Sequence, residues 1–340
     1  MTIDWRRFAD RIHALDRFVL TTHQRPDGDA IGSEMGMYHV LTSLGKSVRI
    51  VNADEVPPKL RFLDPLNTIE TLSSLREEER RFADVGCFLV LDTSAWSQLA
   101  GMGDALRATN AAKLVLDHHQ IGDDLGAEEF KDVDAEACGR LVYDAAQALG
   151  VPLTQAIAQP LLAAIATDTG WYRFPSTKPL TLRVVADLME AGASPSVVHR
   201  EIYEQESLPR LRLLGRTLAG MTSECDGRLM VLGVREGDFA STGAVRHDVE
   251  DLANQGLRVS SAAAAVSLVE QSDGKSVKAS FRSRWPSLDV SRLAQQFGGG
   301  GHKAASGATL SLPFEEARTQ IIAAFHAGFA TAAPPASPGR

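Results

Sequence analysis

The stretch Phe18-Val19-Leu20-Thr21-Thr22-His23-Gln24-Arg25-Pro26-Asp27-Gly28-Asp29-Ala30 begins as an apolar run and ends on two carboxylates beside an imidazole. Residues 18–22 read as a strand and residues 30–44 as the helix that follows. Pro26 and Gly28 supply the sharp turn between them. Residues 48–53, 85–91 and 113–116 repeat the apolar strand signature, and the last two runs stop directly at acidic or histidine residues. Short strands alternating with helical patterns predict a parallel sheet covered by helices. Polar groups at strand C-termini mark the edge where such sheets bind ligands, because their loops converge there.

Working outward, residues 137–214 become mainly helical, with breaks at Ser194-Pro195 and Ser207-Leu208-Pro209. Beyond them, residues 228–234, 262–270 and 276–284 read as strands, and residues 245–255, 290–296 and 314–327 as helices. The expected class is α/β. An N-terminal domain with a mainly parallel sheet covers residues 1–190, a helical linker 191–220, a smaller α/β domain with a mixed sheet 221–330, and a disordered tail rich in Ala and Pro 331–340. A chain of 340 residues is long enough for two such cores.

The net charge of -8 excludes a surface that tracks long nucleic acid through a broad basic face, though not a local basic pocket for a small anion. Cys87, Cys138 and Cys225 form no C-x-x-C pair, which excludes a zinc-thiolate site and fits a reducing compartment. No apolar stretch resembles a signal peptide or reaches membrane-span length, so a cytoplasmic location without membrane attachment is expected.

Four separate segments carry metal-ligand chemistry. Asp27 and Asp29, two apart, can flank one pair of cations; Asp29 could equally cap the helix that follows. Asp92 follows the strand at 85–91 and could be a turn residue or a ligand. Asp117-His118-His119 is harder to explain as structure, because adjacent titratable groups at a strand end need a compensating charge. Asp168 lies in Ala166-Thr167-Asp168-Thr169-Gly170, near the end of the apolar run 161–166. Imidazole and carboxylate donors without thiolate suit Mn²⁺, with Mg²⁺, Co²⁺ or Zn²⁺ as substitutes. Together with His23 the donors exceed the needs of one ion, so two Mn²⁺ per chain are expected. Two ions about 3.5–4 Å apart can share a carboxylate and activate a water for attack on phosphorus.

The second domain carries Phe297-Gly298-Gly299-Gly300-Gly301-His302-Lys303. Backbone N–H groups of Gly299, Gly300 and Gly301 can approach an anion closely, and His302 adds a directional donor. Arg282 and Arg284 alternate onto one face of the preceding strand, and either guanidinium fork could complete a phosphate site with His302.

The ordered set His-x-x-x-Asp-x-Asp, Asp92, Asp117-His118-His119, Asp168 and Gly-Gly-Gly-Gly-His302 resembles the DHH phosphoesterase superfamily over most of the chain, and within it the bifunctional oligoribonuclease and pAp phosphatase (nanoRNase) group. The resemblance implies that His23, Asp27 and Asp92 bind one Mn²⁺ and that Asp29, Asp92, His118 and Asp168 bind the other, with Asp92 as the bridge. It also implies that Asp117 orients the histidines, that His119 contacts the scissile phosphate or the leaving group, and that His302 and Arg282 hold a substrate phosphate. The implied activity is Mn-dependent hydrolysis of short single-stranded RNA to nucleoside 5′-monophosphates and of pAp to AMP. Cleavage of cyclic di-AMP or pApA is the alternative within the same fold. Family II pyrophosphatases share the metal motifs but carry a basic motif unlike residues 298–302. A non-catalytic nucleotide sensor would have lost a ligand, and none is missing here. Trp171, Tyr172 and Phe174 could stack on a base or pack in the core, and a homodimer is compatible with the helical pattern.

Overall fold

The computed structural model describes residues 3–332, so the tail expected at 331–340 lies outside them from residue 333 onward. The chain divides into two units, the first ending at Gln205 and the second beginning at Glu206. The first carries β1 (Arg17–Thr21), β2 (Ser47–Asn52), β3 (Ile69–Thr71), β4 (Cys87–Leu91), β5 (Ala112–Asp117) and β6 (Glu128–Lys131). They pair in the order β3-β2-β1-β4-β5-β6, parallel throughout. A parallel sheet is buried on both faces, so its central strands need apolar residues at every position. Phe18, Leu20, Leu89, Leu91, Leu114 and Leu116 enter one core; Val19, Phe88, Val90 and Val115 enter the other.

The first core is closed by α1 (Trp5–Ala14), α2 (Gly28–Ser43), α5 (Cys138–Ala148), α6 (Gln155–Asp168), α7 (Pro179–Glu190) and α8 (Pro195–Tyr203). On the opposite face lie α3 (Trp96–Leu99) and α4 (Gly101–Ala108), through Leu99, Met102 and Leu106. Helix α2 is buried on nearly every side from Gly28 to Met37, which no single apolar stripe would allow. Gly28, Gly32 and Gly36, one turn apart, make this possible. A Cβ built on them would meet Thr167 Oγ1, the Pro160 carbonyl oxygen and Leu161 Cδ2, each at 2.4 Å. The backbone of α2 therefore rests on side chains of α6 at Gly28 and Gly36 and on its backbone at Gly32, with no room for a methyl group.

The second unit contains α9 (Leu208–Ala219), β7 (Thr222–Glu224), β8 (Leu229–Val234), α10 (Glu236–Thr242), α11 (Leu252–Gly256), β9 (Ala264–Glu270), β10 (Val277–Ser283), α12 (Val290–Gln295), β11 (Gly300–His302), β12 (Ala305–Leu310) and α13 (Phe314–Thr331). Its sheet runs β11-β12-β10-β9-β8-β7, parallel only between β8 and β9. The helix expected at 245–255 is interrupted: a 3-10 turn at Arg246–Val249 precedes α11, and Asp251 between them has φ 62°. The helices expected as a linker at 191–220 are shared out, Val198 of α8 packing into the first unit and Leu213 of α9 into the second. All three cysteines are buried and unpaired. Among the described residues, no helix is long and apolar enough to cross a membrane.

Candidate metal centre

The strand order reverses direction between β1 and β4, and the loops leaving these neighbours part to leave a crevice at their C-terminal edge. His23 lies in the loop after β1. Its Nδ1 sits 2.9 Å from the Gln24 carbonyl oxygen, which orients the ring and presents Nε2 inward, 3.5 Å from Asp92 Oδ2 and 3.9 Å from Asp27 Oδ1. Asp27 is the N-cap of α2: its Oδ1 accepts from the backbone N–H groups of Asp29 and Ala30 at 3.0 and 3.1 Å. The capping role considered for Asp29 thus belongs to Asp27. Asp29 accepts instead from the N–H groups of Cys138 and Gly139 at 2.7 and 2.8 Å, where α5 begins. A carboxylate at that helix N-terminus is favoured by the exposed amide dipoles.

Asp92 directly follows β4 in a left-handed conformation, φ 61°, its N–H donating to the Leu116 carbonyl. It is 2% exposed, and its Oδ1 has no aligned hydrogen bond although His118 Nε2 lies 3.3 Å away. His118 is turned by the Ala135 carbonyl oxygen, 3.2 Å from its Nδ1, so that Nε2 also lies 3.5 Å from Asp29 Oδ2 and 3.9 Å from Asp168 Oδ2. Asp168, the last residue of α6, reaches this cluster because α6 is pressed against α2.

Asp117 contacts His119 rather than both histidines: its Oδ1 is 2.8 Å from His119 Nδ1. Its Oδ2 accepts from Ser94 Oγ at 2.7 Å and lies 3.2 Å from Lys131 Nζ. Lys131 is the register partner of Asp117 on β6 and supplies the compensating charge that the Asp-His-His run requires. Neither Ser94 nor Lys131 is visible as a motif; the demand for a nearby cation was the available signal.

Electrostatics describe a cluster short of positive charge. Burial disfavours charged imidazole, yet the hydrogen bonds and charge of Asp92, with its carboxylate neighbours, carry His23 up to about 9 and His118 up to about 10. Burial and the charge of Asp92 push the Asp29 carboxyl well above its usual range. Asp117 goes the other way, to about 2: burial opposes the shift, but His119 and Ser94 overcome it. Among the described residues, three sets of donor atoms, each within 4.8 Å of one another, could hold a cation: His23, Asp27 and Asp92; Asp29, His118 and Asp168; Asp92, His118 and His119. The orphaned Asp92 Oδ1, lying between the histidines, fits a divalent ion as its missing partner.

In the second unit the glycine run forms the turn after α12 and the edge strand β11, not a flexible link. A Cβ on Gly299 would fall 2.1 Å from the Gly307 carbonyl oxygen, and Gly301 has φ 136°. His302 pairs with Ala305, and Ala305 pairs with Arg282. Directly opposed residues share a sheet face, so His302 and Arg282 stand on one row with only a methyl group between them, about 10 Å apart at two strand spacings. Arg282 is braced through Nε by Asn254 and through one terminal nitrogen by the Phe281 carbonyl. Arg284 lies one residue past β10 and is tied to the Leu257 carbonyl.

Residues 17–165 match the N-terminal domain of the DHH family. The oligoribonuclease and PAP phosphatase NrnA of Thermus thermophilus is 32% identical over 313 residues, covering 90% of this chain and 88% of that protein. The chain belongs to the DHH family. Residues 226–330 match the DHHA1 domain that forms the second unit. NrnA of Bacillus subtilis is 27% identical, covering 88% of this chain and 91% of its own. An exopolyphosphatase-related protein from Bacteroides fragilis shares the fold with a TM-score of 0.79 at 24% identity, covering 95% and 96% of the two chains. Like the DHH phosphoesterases it belongs with, this chain is a hydrolase acting on phosphoester bonds.

Proposed function

We propose that this DHH protein binds two Mn²⁺ ions and hydrolyses short RNA oligonucleotides to nucleoside 5′-monophosphates, with pAp dephosphorylation to AMP as a second activity of the same site. The observation that carries the reading is Asp92, buried and orphaned at Oδ1 between two inward-facing imidazoles. His23, Asp27 and Asp92 would hold one ion, and Asp29, Asp92, His118 and Asp168 the other. Bound ions would supply Lewis-acid stabilisation of the charge on the phosphoryl oxygens.

The remaining steps fall to the chain's own side chains. Asp117, kept ionised by its hydrogen bonds from His119 and Ser94, accepts the Nδ1 proton of His119 and raises the pKa of that ring, so that the imidazolium can donate its Nε2 proton to the scissile phosphate or to the leaving oxygen. The row of His302 and Arg282 would take a second phosphate of the substrate, with the backbone of Gly299, Gly300 and Gly301 beside it. Oligonucleotides and pAp both carry such a phosphate. The acidic composition and the buried free cysteines suit a cytoplasmic enzyme. The activities named for the Thermus and Bacillus relatives support the same choice of substrates.

A Mn²⁺-dependent panel of short and long RNA, pAp, pApA, cyclic di-AMP and pyrophosphate, with product analysis, tests the reading. Mononucleotides from dimers to pentamers and AMP from pAp are expected. Equal rates on long strands, or hydrolysis indifferent to chelation, would overturn it.

A further inference from the structure

A cavity of about 780 Å³ opens directly on Asp27, Asp92 and His119. That volume is within the range of small-molecule pockets and exceeds what one phosphate needs. The imidazole of His23 also lines it; beyond these cluster residues its wall is uncharged apart from Arg25, the one guanidinium among its lining residues, with Gln98 and Gln120 beside it. Among the described residues, no hydrogen bond or ion pair engages the Arg25 guanidinium or the side-chain amides of Gln98 and Gln120.

Arg25 is also held in an unusual way. It stands between His23 and Asp27 with φ 53°, a left-handed conformation that costs a non-glycine residue free energy. Its backbone N–H is anchored on Asp54 Oδ2 at 2.7 Å, and the next loop is pinned by Gln24, whose N–H and side-chain amide donate to the Gln98 and Ser97 carbonyls. The backbone is thus fixed against its own preference while the charged end is left unpaired.

We propose that this cavity is a nucleotide subsite for the unit next to the scissile phosphate, with Arg25 binding the following phosphate and the Gln98 and Gln120 amides meeting the base edge. The inference rests on the RNA-hydrolase reading given above. The cluster and His119 account for the scissile phosphate and the row of His302 and Arg282 for a terminal one; a further phosphodiester is what remains for an unpaired guanidinium in the cavity wall. A 5′-phosphorylated dinucleotide has no such phosphate, whereas a 5′-phosphorylated trinucleotide does. Arg25 therefore sets a preference for chain length.

The test is the ratio of kcat/KM for a trinucleotide to that for a dinucleotide, measured with the Mn²⁺-loaded full chain. The ratio cancels any general disturbance of the fold or the ions. In Arg25→Ala it falls about 10-fold, the effect of one charge-assisted hydrogen-bonding group, and Arg25→Lys recovers part of it. An unchanged ratio in Arg25→Ala overturns the assignment. If the unmodified protein cleaves neither substrate, the RNA reading fails on its own. The cavity is then read by fluorescence anisotropy of a labelled, uncleaved trinucleotide under the same conditions. Weaker binding by Arg25→Ala supports the subsite, and equal binding by both proteins overturns it.

Discussion

Asp92 combines two features in one residue, a left-handed backbone and a buried carboxylate oxygen without an aligned partner. Asn adopts the left-handed region as readily as Asp, so Asp92→Asn keeps the backbone and removes the charge. Hydrolysis is expected to fall by more than the roughly 10–100-fold seen for residues that only brace a ligand. Metal content per chain, measured by elemental analysis, falls with it. Glu34 gives a separate, pH-dependent prediction. It is 0% exposed, its Oε2 accepts from Asn52 Nδ2 at 2.8 Å, and its Oε1 has no partner among the described residues. Burial, outweighing the Asn52 bond, raises its carboxyl to about 8. A raised folded pKa gives stability that is complete below the unfolded value and lost as pH rises through the folded one. Thermal melts of Glu34→Gln should therefore match the wild type near pH 4.5 and gain on it progressively toward pH 8. The cluster residues were readable as candidates because four separate strand or helix ends each deliver a carboxylate or imidazole, although Asp92 taken alone carries no motif. Ser94, Lys131 and Glu34 were not, since a lone polar residue carries no spacing and acquires meaning only from its neighbours.

At the scale of elements, the contact of α2 with α6 decides where Asp27, Asp29 and Asp168 meet. A Cβ on Gly32 would sit 2.4 Å from the Pro160 carbonyl oxygen, backbone that cannot rotate away. Gly32→Ala forces the helices apart and should cost about 1–3 kcal/mol, the usual cost of overpacking. Urea unfolding measures that loss, and activity should drop in the same variant although Gly32 touches no ligand. The sheet strands at 18–22, 85–91 and 113–116 were readable because both faces are buried and the runs are continuously apolar. Short strands such as β3, β7 and β11 are half-buried or exposed and leave no such signature. The helix expected at 245–255 failed at Asp251, whose left-handed turn is compatible with a sequence that otherwise reads as helical. The choice between capping and ligation at Asp29 stayed open in the sequence for a similar reason. Asp27 and Asp29 have the same chemistry, and only the position of Cys138 and Gly139 in space tells their roles apart.

At the scale of the whole molecule, each unit has its own buried cores on both faces of its own sheet. Residues 1–205 alone should therefore fold and bind metal with the stoichiometry of the full chain, checked by calorimetric titration. Under the proposed function, turnover of short RNA by this fragment should fall mainly through a higher KM, because the row of His302 and Arg282 proposed to hold a phosphate is lost. Two-domain organisation was legible from the change to a helical pattern after residue 137, but the partition of α8 and α9 was not: the positions of Val198 and Leu213 in different cores decide it. The donors of the metal centre come from residues as far apart as His23 and Asp168, across a parallel sheet whose strands pair only through crossovers. On the ribosome, at about 5–20 residues per second, the site cannot exist until α6 has emerged and docked on α2. Asp29 and His118 are oriented by hydrogen bonds to the backbone of Cys138, Gly139 and Ala135. Under the proposed function, metal acquisition would thus be a late, post-synthetic event, with competition among cellular cations settled by a finished cage rather than by a nascent chain.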